Sequence, residues 1–193
     1  MKRVAIIVSS QYGQTLKIAE CLRSVLEEFD QCARLFLVNS DKEMSVIRLE
    51  EFDGVIVGGP VYVGSLPSVI QKWTRLHSEE LNKIPVGFFT VSLNAADRRP
   101  EARNDDIRVI KDFLEHTGLK PVLTSSLIGA IHYRQYGFFE KWILRRVYRS
   151  LGGPTDTKRN HELTDWNTVK SFAHSFANIV EGAIPEVLVP NLD

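Results

Sequence analysis

Cysteine is nearly missing from this chain: its 193 residues include only Cys21 and Cys32, far apart and forming no C-x-x-C pair. That excludes a disulfide framework and reads as free thiols in a cytosolic protein, with Cys21 packed inside the first helix. The five histidines are scattered, with no two at metal-ligand spacing, so no metal site is expected. No apolar run approaches the roughly 18 residues a membrane span needs, and no signal-peptide pattern opens the chain. Excess charge of one sign is absent too, since 24 Lys and Arg balance 24 Asp and Glu. Glycine patterning excludes two phosphate motifs: nothing reads G-x-G-x-x-G, and nothing reads G-x-x-x-x-G-K.

What is present is the composition of one soluble globular domain, 44% hydrophobic and 25% charged, with no internal repeat and no low-complexity linker. Apolar strand-like runs alternate with helical patterns almost to the end. Strands are expected at Arg3–Val8, Ala33–Val38, Asp53–Gly58, Pro85–Val91 and Val122–Ile131. Helices are expected at Gln14–Phe29, from Pro67 at N1 to Leu81, at Ala102–Thr117 before Gly118, and from the Thr164-Asp165-Trp166 cap to Val180. Five β–α units with short connections mean a parallel sheet covered on both faces. The domain should span 1–180, leaving a tail at 181–193 with no clear periodicity.

Ile6-Ile7-Val8-Ser9-Ser10-Gln11-Tyr12-Gly13-Gln14-Thr15 carries the most information. An apolar strand runs into a turn of hydroxyls, amides and one glycine, and the turn opens a helix. Such a junction holds a phosphate with N–H groups, hydroxyls and the helix dipole, even without a cation in the turn. The plainer alternative is a strand–turn–helix connection in which Ser10 caps the helix and Gly13 allows the bend. The spacing of Ile6, Ile7, Ser10, Gly13, Thr15, Ala19 and Leu22 resembles the flavodoxin signature, with Val8 where that family usually has an aromatic. The resemblance implies FMN as cofactor, and a doubly wound α/β sheet in the order 2-1-3-4-5.

In such folds the ligand lies beyond the carboxyl ends of the strands. Three loops leave those ends, and they supply the expected FMN contacts. Ser10, Gln11, Tyr12, Gly13, Gln14 and Thr15 form the phosphate turn. Pro60, Val61, Tyr62, Val63 and Gly64 form the second loop, where Tyr62 either stacks on the flavin ring or is simply a half-buried loop tyrosine. Ser92, Leu93, Asn94 and Ala95 form the third. It has no aromatic where many flavodoxins sandwich the ring, which leaves one ring face open to a substrate. The neutral charge also differs from the strongly acidic electron-shuttle flavodoxins. Both features favour an enzyme.

Residues 133–151 break the pattern. They hold six of the eighteen aromatics and five basic residues, in a connection far longer than an ordinary loop. On a helical wheel Phe139, Ile143, Val147 and Leu151 form a row, with Lys141, Arg145 and Arg149 opposite. Three readings fit: a helix packed on the domain, a helix in a membrane interface, or an aromatic lid over the flavin. Nucleic acid is not expected, because the patch is small and the chain neutral.

Further motifs extend the resemblance. They are Val91-Ser92-Leu93-Asn94 with Arg98-Arg99-Pro100-Glu101, Gly129-Ala130-Ile131-His132-Tyr133-Arg134, Gly152-Gly153-Pro154-Thr155-Asp156-Thr157-Lys158-Arg159, and Thr164-Asp165-Trp166. With the phosphate turn they span residues 1 to about 180 and are similar to the bacterial menaquinone-dependent protoporphyrinogen IX dehydrogenases. Those proteins carry a long insertion at this point, here about 132–160, before the last helix. That family usually has an acidic residue where Tyr12 stands, and Leu-Arg-Tyr where Ile131-His132-Tyr133 stands. The resemblance implies oxidation of protoporphyrinogen IX in heme biosynthesis, with electrons passed to menaquinone. It places a cytoplasmic protein at the inner face of the cell membrane, touching it through the 133–151 helix. Arg134, Arg145, Arg146 and Arg149 are the candidates for pairing with porphyrin propionates. No constellation marks a catalytic acid or base. An NAD(P)H:quinone reductase and a non-enzymatic electron carrier remain open on the same fold, as does a homo-oligomer.

Overall fold

A computed structural model describes residues 1–40, 47–93, 95, 100–131 and 161–183, with backbone alone at 100–103, 130–131 and 161–162. Strand β1 (Arg3–Val8) reads as an unbroken apolar run because both of its faces are covered: Val4, Ala5, Ile6, Ile7 and Val8 are all fully buried. Helix α1 (Gln14–Glu28) leads to the edge strand β2 (Cys32–Leu37), and β3 (Gly54–Pro60) crosses to the other side of β1. Helices α2 (Ser68–Leu76) and α3 (Ser78–Leu81) precede β4 (Val86–Ser92), and α4 (Pro100–Thr117) precedes β5 (Leu123–Ile128). A two-stranded ribbon, β6 (Ala130–Ile131) with β7 (His161–Glu162), comes before α5 (Trp166–Val180). The sheet order is β2-β1-β3-β4-β5, all parallel, as expected.

Side-chain alternation along the strands divides the apolar residues between two cores. Val4, Ile6, Val8, Phe89 and Val91 pack under α1 and α5 against Leu22, Leu26, Phe172 and Phe176. Ala5, Ile7, Val55, Val57 and Phe88 pack under α2 and α4 against Ile70, Trp73, Val109 and Phe113. Burying each large apolar side chain contributes about 1.5–3 kcal/mol, so either layer alone outweighs any single loop contact. Gly58 leaves the space that the Phe89 ring of β4 fills, because a Cβ there would collide with that ring.

Besides shifts of one or two residues at other element ends, four departures from expectation matter here. The helix foreseen from Pro67 to Leu81 is two helices broken at His77, whose N–H closes onto the Trp73 carbonyl. The third strand runs on through Gly59 and Pro60, so Pro60 belongs to the sheet and not to the loop. The second strand begins at Cys32, and Cys32 is exposed while Cys21 is half-buried against the first core. The fifth strand stops at Ile128. Gly129 approaches Val91 too closely for a Cβ to sit easily, and the chain then turns into the antiparallel β6–β7 ribbon.

Candidate functional site

The three loops meet at the carboxyl end of the sheet. The first begins at Ser9 and Ser10, both buried, directly after β1. Asn39, just past β2, holds this turn from the side: its Oδ1 accepts from the Ser9 hydroxyl (3.1 Å) and the Ser10 N–H (3.1 Å). Its Nδ2 donates to the Ser10 carbonyl (3.3 Å). Ser10 Oγ in turn accepts from the N–H of Gly13 (3.2 Å) and of Leu16 (3.4 Å), reaching into the first turn of α1. A hydroxyl has two lone pairs and one proton, so these two bonds leave Ser10 its proton to donate.

Gly13 carries φ +87°, a left-handed value that any side chain would strain. Around this turn the N–H groups of Gln11, Gln14 and Thr15 have no acceptor among the described residues. Unmatched donors at the start of a 15-residue helix, flanked by the Ser10 and Thr15 hydroxyls, suit a phosphate dianion. The phosphate end of FMN fits the residues present.

The second loop is a tight turn. Tyr62 N–H donates to the Ser65 carbonyl (2.8 Å), Ser65 N–H donates back to Tyr62 (3.1 Å), and Val63 and Gly64 between them have φ +50° and +76°. Val63 is fully exposed, and a β-branched residue in the left-handed region is strained. Its neighbour Tyr62 is half-buried and meets Tyr12 of the first loop edge-on, with ring centroids 5.9 Å apart at 85°. A backbone bond from Val61 N–H to the Val91 carbonyl (2.9 Å) ties this loop to β4.

The third loop is rooted at Ser92. Its hydroxyl donates to Asp106 Oδ1 (2.7 Å) and accepts from the Ala95 N–H (3.3 Å), while its carbonyl accepts from Gly129 (3.1 Å). Leu93 is half-buried, and Asn94 lies outside the described residues. Arg134, Arg145, Arg146 and Arg149 also lie outside them, as do the 133–151 helix and the tail from 184 onward.

The ends of the insertion, however, are described. Ala130 pairs with Glu162 and Ile131 with His161, immediately beyond the carboxyl end of β5. Just past that ribbon, Thr164 Oγ1 accepts from Gln14 Nε2 (2.7 Å), linking the returning chain to the phosphate turn. At α5, Asp165 caps the helix as expected, accepting from Asn167 N–H and from the Thr168 N–H and hydroxyl. The Thr168 hydroxyl first, then the Asn167 N–H, hold its carboxyl below the ordinary aspartate value.

Four participants were not foreseen from sequence: Asn39, Asp106, Ser126, whose hydroxyl donates to Asp106 Oδ2 (2.8 Å), and the Thr164 link. Asp106 left a signal, since it stands on the row of α4 that carries Val109 and Phe113, where an acidic residue is out of place. Asn39, as the first polar residue after β2, left a weaker one. A recess of about 630 Å³ lined by Met1, Lys2, Phe29, Asp30, Asp53 and Glu181 lies at the opposite end of the sheet and takes no part in this arrangement. Among the described residues no His, Cys, Asp and Glu group could hold a metal ion, and no helix is long and apolar enough to cross a membrane.

A doubly wound parallel sheet with an anion cradle after β1 and two further loops at its switch point defines a flavin-binding protein of the α/β class. The flavodoxin-domain family model matches residues 5–158, and the chain belongs to that family. Membership makes FMN its cofactor and the chain a flavodoxin-like oxidoreductase. It is 29% identical over 180 residues to the protoporphyrinogen IX dehydrogenase [quinone] of Escherichia coli (strain K12), covering 93% of this chain and 97% of that one. A protein of the same name from Leishmania major is 28% identical over 129 residues, 67% of this chain and 55% of that one. Among solved structures, an archaeal flavodoxin superposes with TM-score 0.53 at 16% identity, over 93% of this chain and 99% of the other. A WrbA-like flavodoxin from Agrobacterium tumefaciens gives 0.53 at 13% identity, over 95% and 100%. These likenesses show the fold.

Proposed function

We propose that this chain oxidises protoporphyrinogen IX to protoporphyrin IX and passes the electrons to menaquinone at the inner face of the cell membrane. The observation that carries the reading is its similarity to protoporphyrinogen IX dehydrogenase [quinone], end to end along both chains. Bound FMN supplies the hydrogen acceptor and the electron relay.

The chain's own residues bind and orient. Ser10, Gln11, Gly13, Gln14 and Thr15 receive the phosphate; Tyr12 with Tyr62, and Val61 through Gly64, border the ring. Ser92 through Ala95 border its other side and, lacking an aromatic, leave that face to the substrate. The insertion starts and ends beside these loops. Its aromatics suit a flat apolar macrocycle, and Arg134, Arg145, Arg146 and Arg149 suit propionates or anionic headgroups.

The test is anaerobic: FMN-loaded protein, protoporphyrinogen IX and a menaquinone analogue, followed by porphyrin fluorescence. Growth that needs both protein and quinone is the expected result. A flat trace from flavin-loaded protein overturns the reading. Bleaching of the flavin by NADH or NADPH would then indicate the quinone reductase, and transfer only to a protein partner the electron carrier. Reversing charge at Arg145 and Arg149 should raise KM for the porphyrinogen or release the protein from anionic vesicles; no change in either refutes their role.

A further inference from the structure

We propose that Asp106 is the positioning residue of the third flavin loop, acting through Ser92. The inference rests on that loop bordering the isoalloxazine ring. Asp106 is 5% exposed, on the face of α4 that packs against the sheet. Each carboxylate oxygen accepts one hydroxyl: Oδ1 from Ser92 at the end of β4 (2.7 Å), Oδ2 from Ser126 in β5 (2.8 Å). No Lys, Arg or His pairs with it among the described residues. A buried carboxylate whose partners among the described residues are two hydroxyls and no cation is a demanding choice for a helix–sheet contact that an apolar residue would fill.

Its chemistry explains the choice. A carboxylate only accepts, so both hydroxyl protons must turn toward α4. With its proton so committed, Ser92 Oγ presents a lone pair to the Ala95 N–H (3.3 Å) and ties Ala95 back to the end of β4. The same serine's carbonyl receives Gly129, so one buried anion fixes the mouth across β4, β5 and the loop. Without the anion the Ser92 hydroxyl is free to rotate and to donate elsewhere, and Ala95 loses that tie.

FMN and riboflavin share the ring and differ in the phosphate, so they separate this loop from the phosphate turn. Apoprotein is titrated with each at a temperature well below its melting transition, following flavin fluorescence and the visible absorption of the bound flavin. Asp106→Ala should weaken both flavins by a similar factor, about tenfold, and shift the visible bands toward those of free flavin. Asp106→Asn, which keeps one acceptor for Ser92, should recover most of the loss. If Asp106→Ala fails to fold, Ser92→Ala removes only the connecting hydroxyl and should show the same equal weakening. Binding of both flavins by folded Asp106→Ala or Ser92→Ala within about twofold of wild type, with unchanged bands, overturns the proposal. A loss confined to FMN overturns it too. Wild-type protein that binds neither flavin overturns the reading of the whole site, a result distinct from any variant-specific one.

Discussion

Ser10→Ala tests whether the first turn is a phosphate cradle or a plain connection. In the folded chain Ser10 Oγ accepts two N–H groups, at 3.2 Å from Gly13 and 3.4 Å from Leu16, and the residue is 8% exposed. Removing a side-chain oxygen that caps a helix costs about 0.5–2 kcal/mol. Both bonds are long, so the upper part of that range is not expected; about 1 kcal/mol corresponds to roughly 2–4 °C in melting temperature for a chain of this size. That loss alone would occur in either reading. The discriminating quantity is the proton that Ser10 has left to donate. A hydrogen bond to a charged group is worth about 1.5–3 kcal/mol, which is roughly 10- to 150-fold in affinity. Titrating the apoprotein by flavin fluorescence should therefore show FMN weakened by at least about tenfold, and riboflavin by much less. Equal weakening of the two flavins would mean the hydroxyl does not face the phosphate, and the cradle argument would fail.

Val63→Asn should stabilise the protein by about 1–2 kcal/mol, because asparagine tolerates the φ of +50° that valine resists, and an Asn-Gly pair ending at Gly64 makes a favoured hairpin turn; a melting temperature that stays or falls refutes the strain. Gly58→Ala should cost about 1–3 kcal/mol by forcing Phe89 from its place, read as a lower urea midpoint. Acid should destabilise through Asp53 and Asp165, whose carboxyls are held below the ordinary 3.8, the first chiefly by the Arg3 N–H and the second chiefly by the Thr168 hydroxyl. Groups lowered in the folded state stabilise it above their unfolded value and lose that contribution as pH falls through the folded one. The urea midpoint should drop below about pH 4, and less steeply in Asp53→Asn with Asp165→Asn; an identical slope refutes the assignment.

Features resting on local sequence were legible, and those resting on distant partners were not. β1 announces itself because a strand buried on both faces has no polar alternation to hide it. The phosphate turn is likewise contiguous: Ser10, Gly13 and the first residues of α1 lie within one short stretch. The break at His77 left no trace, since no glycine or proline stands there and the apolar row Ile70, Trp73 and Leu81 continues across it. Asn39 joins Ser9 and Ser10 only because β2 lies beside β1, and Gln14 meets Thr164 across 150 positions. Asp106 was visible as an anomaly in a helix row, but its partners sit on two strands that pattern alone does not align.

The end of β5 matters most for function, because there the expected strand through Ile131 proves to be a ribbon that brings the chain back. Ile131 opposite His161 is the pairing that a two-residue turn would close. A chain shortened between Ile131 and His161 keeps all the residues of the sheet, the two cores and the three flavin loops. Replacing residues 132–160 with Asn-Gly shortens the closed loop, which lowers the entropy cost of pairing β6 with β7. The shortened chain should fold, bind FMN within a few-fold of the full chain, and accept electrons from a chemical reductant. If the insertion holds the porphyrinogen and the membrane, it should lose porphyrin formation and vesicle binding together. Retained porphyrin formation with unchanged kcat/KM would place the substrate on the flavodoxin core instead. Loss of FMN would show that the insertion completes the cofactor site. The Thr164–Gln14 bond, which lies outside the deleted stretch, is the contact to examine first in that case.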